Sequence, residues 1–144
     1  MSYFSIAGLQ LNLGNGDNLE QLSDAAADTV TRFPWVQMIM FSELALTGWS
    51  GAPQPLPGVL EESCRKLGKQ LRVWLLTGSI YEKAGGRNYN TASVISPNGD
   101  VVGRYRKMFP FTPYEKGISP GTSFLVFDVP DVGRFGVSIC YDMW

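Results

Sequence analysis

Residues 135–144 read FGVSICYDMW, an apolar strand that delivers Cys140 to its end, followed by four further residues. Two other apolar runs deliver a reactive side chain in the same way. Val36 to Phe41 (VQMIMF) runs straight into Ser42-Glu43-Leu44, and Val101 to Lys107 (VVGRYRK) ends on the lysine. Ligand sites in open α/β sheets gather outside strand ends, so Glu43, Lys107 and Cys140 are natural site positions. Each also has a plain structural reading. Glu43 could cap a turn, Lys107 could be a solvated strand end, and Cys140 could fill core space.

Working outward, Tyr3 to Leu11 reads as a buried strand and NLGNGDN as the loop after it. Asn18 with Gln21 three residues on forms a capping-box signal. The helix that follows carries Leu19, Leu22, Ala26, Val30 and Phe33 at helical spacing and is ended by Pro34. The Gly/Pro-rich loop GWSGAPQPLPG leads to a second helix with Leu60, Cys64, Leu67 and Leu71 on one stripe. Val73 to Tyr81 reads as one strand. Asn90 to Ser96 and Val101 to Lys107 then flank Asn98-Gly99, a strong hairpin signal. The long loop MFPFTPYEKGISPGTS precedes strand Phe124 to Val129, a turn around Asp131-Val132-Gly133, and strand Arg134 to Cys140.

Two strand–helix units followed by a run of strands indicate an α/β protein with a mixed sheet and both helices on one face. No repeat, low-complexity segment or linker divides residues 1–144, which read as one domain.

Composition sets bounds on the chemistry. Apolar residues make up 44% and charged residues 17%, an ordinary globular balance. The net charge of −1 offers no electrostatic footprint for nucleic acid or an anionic membrane. The N-terminal stretch MSYFSIAGLQLNLG lacks a charged leader and is too short to span a bilayer, and Cys64 and Cys140 form no disulfide framework. A cytoplasmic protein is expected. The chain contains no histidine, which removes Ser-His-Asp and Cys-His catalysis and most zinc sites.

A nucleophile here must therefore be activated by a carboxylate, a lysine or the backbone. A thiol near its reference pKa is only a few per cent thiolate at neutral pH and needs a base or a nearby cation. A carboxylate can accept its proton, and an ammonium can stabilise both thiolate and oxyanion. Glu43, Lys107 and Cys140 together supply those parts. Cys64, on the apolar stripe of the second helix, reads as core filler. Trp49 could line a pocket or only pack against one.

The stretches FSELALTGW around Glu43, GRYRKMFPF around Lys107 and GVSICYDMW around Cys140 resemble the nitrilase superfamily of carbon–nitrogen hydrolases, with its Glu-Lys-Cys triad in that order. PYEKGISPG places Glu115 where the family's amidases carry a second glutamate. The resemblance runs from the first strand to the end of the chain. It implies the N-terminal portion of a four-layer α-β-β-α sandwich, with the domain continuing beyond Trp144.

The resemblance also implies roles. Cys140 would be the nucleophile, Glu43 the general base, and Lys107 with the Tyr141 backbone N–H the oxyanion site. Glu115 would orient substrate or manage the leaving amine. The implied reaction is hydrolysis of a small-molecule amide through a thioester, with no metal or organic cofactor, in a full-length protein expected to be a homo-oligomer. Tyr-Asp after the cysteine favours amide over nitrile hydrolysis. The competing reading is a non-catalytic α/β domain that acts by association.

Overall fold

The computed structural model describes residues 3–144, so Met1 and Ser2 of the N-terminal stretch lie outside the described residues. Its strands are β1 (Ile6–Leu9), β2 (Met38–Phe41), β3 (Trp74–Leu76), β4 (Ile80–Ala84), β5 (Arg87–Ile95), β6 (Val101–Arg106), β7 (Leu125–Val129) and β8 (Gly133–Val137). Two helices interrupt them, α1 (Leu19–Arg32) and α2 (Val59–Leu71). A 3-10 turn covers Cys140–Met143.

β1, β2 and β3 pair in parallel, each separated from the next by a helix, and β3 then pairs antiparallel with β5. β4 also pairs antiparallel with β5, and β6 lies antiparallel to β5 as well. The register explains how β5 holds three partners. β3 meets its far end at Val94 and Ile95, while β4 meets Arg87 to Thr91. β3 and β4 are thus two halves of the stretch read as one strand over Val73 to Tyr81. Gly78, at φ +71, breaks it, because a Cβ there would lie 2.1 Å from the Ser42 carbonyl oxygen. Only glycine allows that approach, and it brings the break against the turn that carries Glu43.

Alternation along the strands sorts the core into two layers. Ile39, Phe41, Leu75 and Ile95 point toward the helices, where they meet Leu22, Ala26, Leu60, Cys64 and Leu67. Met38, Met40, Trp74 and Val94 point to the opposite face, where Phe127, Val129, Val137 and Ile139 cover them. Both helices therefore lie on one face, as their apolar stripes require. The β7–β8 ribbon forms a second, two-stranded sheet on the other face. Full burial of each such Leu, Ile or Phe contributes roughly 1.5–3 kcal/mol.

Two local readings are corrected. Asn18 does sit at the start of α1, but its side chain makes no capping bond. Its amide instead donates to the carbonyls of Gly14 and Ala45, and Asp17 accepts the Leu19 N–H. Asn18 ties the loop before α1 to the loop after β2, and that long-range tie outweighs the local cap. The last strand ends at Val137, and Cys140 stands in the 3-10 turn beyond it. A hairpin through Gly85 and Gly86, both at positive φ, went unread. The Asn98-Gly99 hairpin is present, with Gly99 at φ +85.

Glu61 lies on the sheet-facing side of α2 although charged. It accepts a two-pronged bond from Arg104 and one from the Ser93 hydroxyl. Burial pushes its carboxyl up, but those donors outweigh burial and hold it below the usual carboxylate range. The trio clamps α2 to β5 and β6. No helix among the described residues is long and apolar enough to cross a membrane.

Candidate active site

Glu43, Lys107, Glu115 and Cys140 converge on one cavity of about 190 Å³, lined also by Leu44, Trp49, Tyr81, Phe111 and Tyr114. The fold delivers each from a different connection. Glu43 follows β2, Lys107 follows β6, Glu115 stands in the loop from β6 to β7, and Cys140 follows β8.

Glu43 occupies a strained turn. Leu44, directly after it, has φ +54, a left-handed backbone that a branched residue adopts only when its surroundings impose it. The constraint is visible: the Leu44 N–H donates to the buried Ser79 hydroxyl at 3.0 Å, one residue past the Gly78 break. Cys140 is held in the same way at φ +46. Its anchor is Asp142, whose carboxylate accepts from the Tyr105 hydroxyl and from the N–H groups of Met108, Phe109 and Ile139. Asp142 thereby fastens the cysteine turn to the segment just after Lys107. Burial and the neighbouring Asp142 charge push the Tyr105 phenol up to about 12.

Lys107 is 1% exposed, and its Nζ lies 2.7 Å from Glu43 Oε1 and 2.7 Å from Glu115 Oε2. Burial alone would lower the ammonium's pKa, but the two carboxylates outweigh it and the pKa rises. Glu115 is the counterpart: burial would raise its pKa, yet Lys107, Asn90 and the Phe111 N–H bring it down. Both groups therefore stay charged. An ammonium has three donors, and two are committed to carboxylates, so one remains.

Cys140 is exposed, and its thiol faces Glu43 and Lys107. Burial by its neighbours and the Glu43 carboxylate push the thiol up, against Lys107 and the Tyr141 N–H, which pull it down. The upward causes prevail, so the sulfur rests as a thiol beside a carboxylate able to take its proton. Cys64, by contrast, is wholly buried, and desolvation lifts it to about 12. It is core filler. Trp49 lines the cavity, and the Tyr141 ring packs on Phe111 at 4.9 Å between centroids.

Three members of this constellation were given no place in the site from sequence, although the Tyr-Asp pair after the cysteine was read as an amidase-like mark. Tyr81 carries its ring to the cavity, and Asp142 anchors the elbow. The third, Asn90, is fully buried and donates from Nδ2 to Glu43 Oε1 at 2.8 Å and to Glu115 Oε1 at 2.7 Å. The only trace of Asp142 in the sequence is an acid two residues after the cysteine.

The chain is 31% identical to the omega-amidase NIT2 of Mus musculus over 157 aligned positions, covering 99% of this chain and 56% of that protein. It is 35% identical to the human omega-amidase NIT2 over 99 residues, which cover 62% of this chain and 36% of the human protein. The chain thus spans about half the length, or less, of these curated relatives. Its fold superposes on Saccharomyces cerevisiae Nit3, a member of the nitrilase superfamily, with a TM-score of 0.86 at 23% identity, covering 97% of this chain and 56% of Nit3. An amidase of Nesterenkonia sp. AN1, solved with acrylamide added to its active-site cysteine, gives 0.83 at 20% identity, covering 96% of this chain and 58% of that one. The carbon-nitrogen hydrolase family profile matches residues 6–144, and the chain belongs to that family.

Proposed function

We propose that this chain carries the nucleophilic half-site of an amide hydrolase working through a Cys140 thioester. The observation that carries the reading is the single cavity in which the Cys140 thiol, the Glu43 carboxylate and the buried Lys107 ammonium meet. The relatives' names, omega-amidase and amidase, point to a terminal amide as substrate class.

In the proposed reaction, Cys140 Sγ attacks the amide carbonyl carbon while its proton passes to Glu43. Charge builds on the carbonyl oxygen, where the remaining Lys107 N–H and the Tyr141 backbone N–H receive it. As the intermediate collapses, the C–N bond breaks and the amine leaves with the proton that Glu43 returns. A water, deprotonated by Glu43, then attacks the thioester; the C–S bond breaks and the thiol is restored. Glu115 serves by keeping Lys107 charged and aimed, and it lines the cavity within reach of the leaving group. Trp49, Phe111, Tyr114 and Leu44 supply apolar walls for the acyl chain.

The test is ammonia release from short terminal amides by the wild-type protein and by Cys140→Ala. Turnover lost in the variant supports the reading. Equal turnover in both contradicts it.

A further inference from the structure

We propose that Asn90 is a positioning residue that orients the Glu43 carboxylate, committing one of its oxygens to the fold and leaving the other for the Cys140 thiol. The inference rests on the Cys140–Glu43 pairing proposed above.

Asn90 stands in the middle of a row across three strands. On one side its register partner is Tyr81 of β4. On the other, its carbonyl accepts the Lys107 N–H at 2.8 Å. From the middle of this row its amide nitrogen reaches two carboxylates at once, Glu43 and Glu115. Lys107 Nζ reaches the same two. An amide nitrogen and an ammonium therefore bridge two glutamates side by side.

Glu43 Oε1 accepts from both Asn90 and Lys107. Among the described residues, no hydrogen bond from the fold occupies Glu43 Oε2. Only a neutral group with two donors fills the place of Asn90. A carboxylate would add a third negative charge beside two others, and a hydroxyl offers one donor. The orientation of the amide follows from the same chemistry, because its oxygen facing two carboxylates would be repelled.

A second observation marks Asn90 as more than a sheet residue. Its Oδ1 is buried and has no partner among the described residues. The amide is used wholly as a donor, and a fully buried acceptor is left idle for it. A strand position that only needed filling would hold an apolar side chain instead.

Losing the amide donors leaves Glu43 held through Lys107 alone, and the charge of the two carboxylates, which still share one ammonium, bears more fully on the Cys140 thiol. The charged or titratable groups lining the cavity with Glu43 are Tyr81 from β4, Lys107 after β6, Tyr114 and Glu115 from the following loop and Cys140 after β8. Tyr81 is itself pushed up by burial and by Glu115 and Glu43, so it stays neutral across the range of interest.

The experiment measures the rate of Cys140 alkylation by iodoacetamide against pH, read by peptide mass spectrometry, with buried Cys64 reporting any unfolding. Wild type, Asn90→Leu, Asn90→Asp, Asn90→Ser and Glu43→Gln are compared. Asn90→Leu and Asn90→Asp should slow alkylation at neutral pH by about tenfold or more, the equivalent of one charge-assisted hydrogen bond, and move the acid limb upward. Asn90→Ser, which keeps one donor, should fall between them and wild type and guards against a leucine variant that fails to fold. Asn90 variants with Cys64 protected and a wild-type rate and pH profile would overturn the proposal. If Glu43→Gln slows alkylation and the Asn90 variants do not, only the Asn90 role fails. If Glu43→Gln also leaves the rate unchanged, the base assignment fails and the proposal with it.

Discussion

Lys107 Nζ and Glu43 Oε1 stand 2.7 Å apart although 64 positions separate them in the chain. The contact exists because β6 and β2 end at the same edge of the site. Its energetics are those of a buried charge with two partners. Removing the cation strands two carboxylates, one of them almost fully buried. Lys107→Met should therefore destabilise the fold by about 3–5 kcal/mol. Urea denaturation at neutral pH measures this, and a loss below 1 kcal/mol would mean that the pairing is not what holds these groups.

The same cluster makes stability depend on pH through Glu115. Its folded-state pKa is depressed by Lys107, Asn90 and the Phe111 N–H despite burial. A carboxyl depressed on folding contributes stability above its unfolded pKa and loses it as pH falls through the folded value. Glu115→Gln should be less stable than wild type at neutral pH, and the gap should close on acidification. Urea midpoints taken from neutral to acidic pH test this; parallel curves for the two proteins would count against it.

The two cysteines should react very differently. Cys64 is wholly buried with its thiol lifted to about 12, whereas Cys140 is exposed beside a carboxylate and an ammonium. Iodoacetamide at neutral pH should label Cys140 in the native protein and reach Cys64 only after unfolding. Similar labelling rates at both sites would remove the case for an activated thiol.

Much of this site was legible because three of its residues follow apolar runs. Glu43, Lys107 and Cys140 each end such a run; β2 and β6 end at one edge of the six-stranded sheet, and the separate β7–β8 ribbon brings Cys140 to the same cavity. Asn90 and Asp142 were not legible in the same way. Their partners lie 25 to 47 positions away for Asn90 and up to 37 for Asp142, and are set by register and loop path. Gly78 was hidden within the apolar run Val73 to Tyr81, where its effect depends on the Ser42 carbonyl just beyond β2. The Asn18 signal failed for the same reason, because the carbonyls of Gly14 and of Ala45, the latter in a distant loop, draw its Nδ2 toward them, and the side-chain oxygen accepts no helix N–H.

Gly78 also yields a sharp mutational expectation. A methyl group there meets the Ser42 oxygen at 2.1 Å, and the residue sits at φ +71. Gly78→Ala must shift the turn that carries Glu43. We expect a stability loss on the order of 1–3 kcal/mol and a larger loss of activity than a glycine-to-alanine change within a strand. Thermal melting and ammonia release measured on the same preparation separate the two effects. An active Gly78→Ala variant of wild-type stability would contradict the coupling.

Asp142 offers a parallel test of the other elbow. Its carboxylate collects four hydrogen bonds, including those that fasten the Cys140 turn beside Lys107. Asp142→Ala should free the turn, slow Cys140 alkylation by at least about tenfold, and let the Tyr105 phenol titrate below its value of about 12. Ultraviolet titration of the tyrosines follows the second effect. An unchanged tyrosine titration together with unchanged alkylation would show that Asp142 does not hold the elbow.

If Cys140 forms a thioester with the acyl part of an amide while Glu43 moves the proton, as proposed, an acyl-enzyme should be present during turnover. Intact-protein and peptide mass spectrometry on acid-quenched samples, taken while the protein turns over a short terminal amide, tests it most directly. The expected result is an adduct on Cys140 whose mass equals the amide minus ammonia, present in wild type, absent in Cys140→Ala and strongly reduced in Glu43→Gln. Ammonia release in the absence of any Cys140 adduct, undiminished in Cys140→Ala, would contradict it.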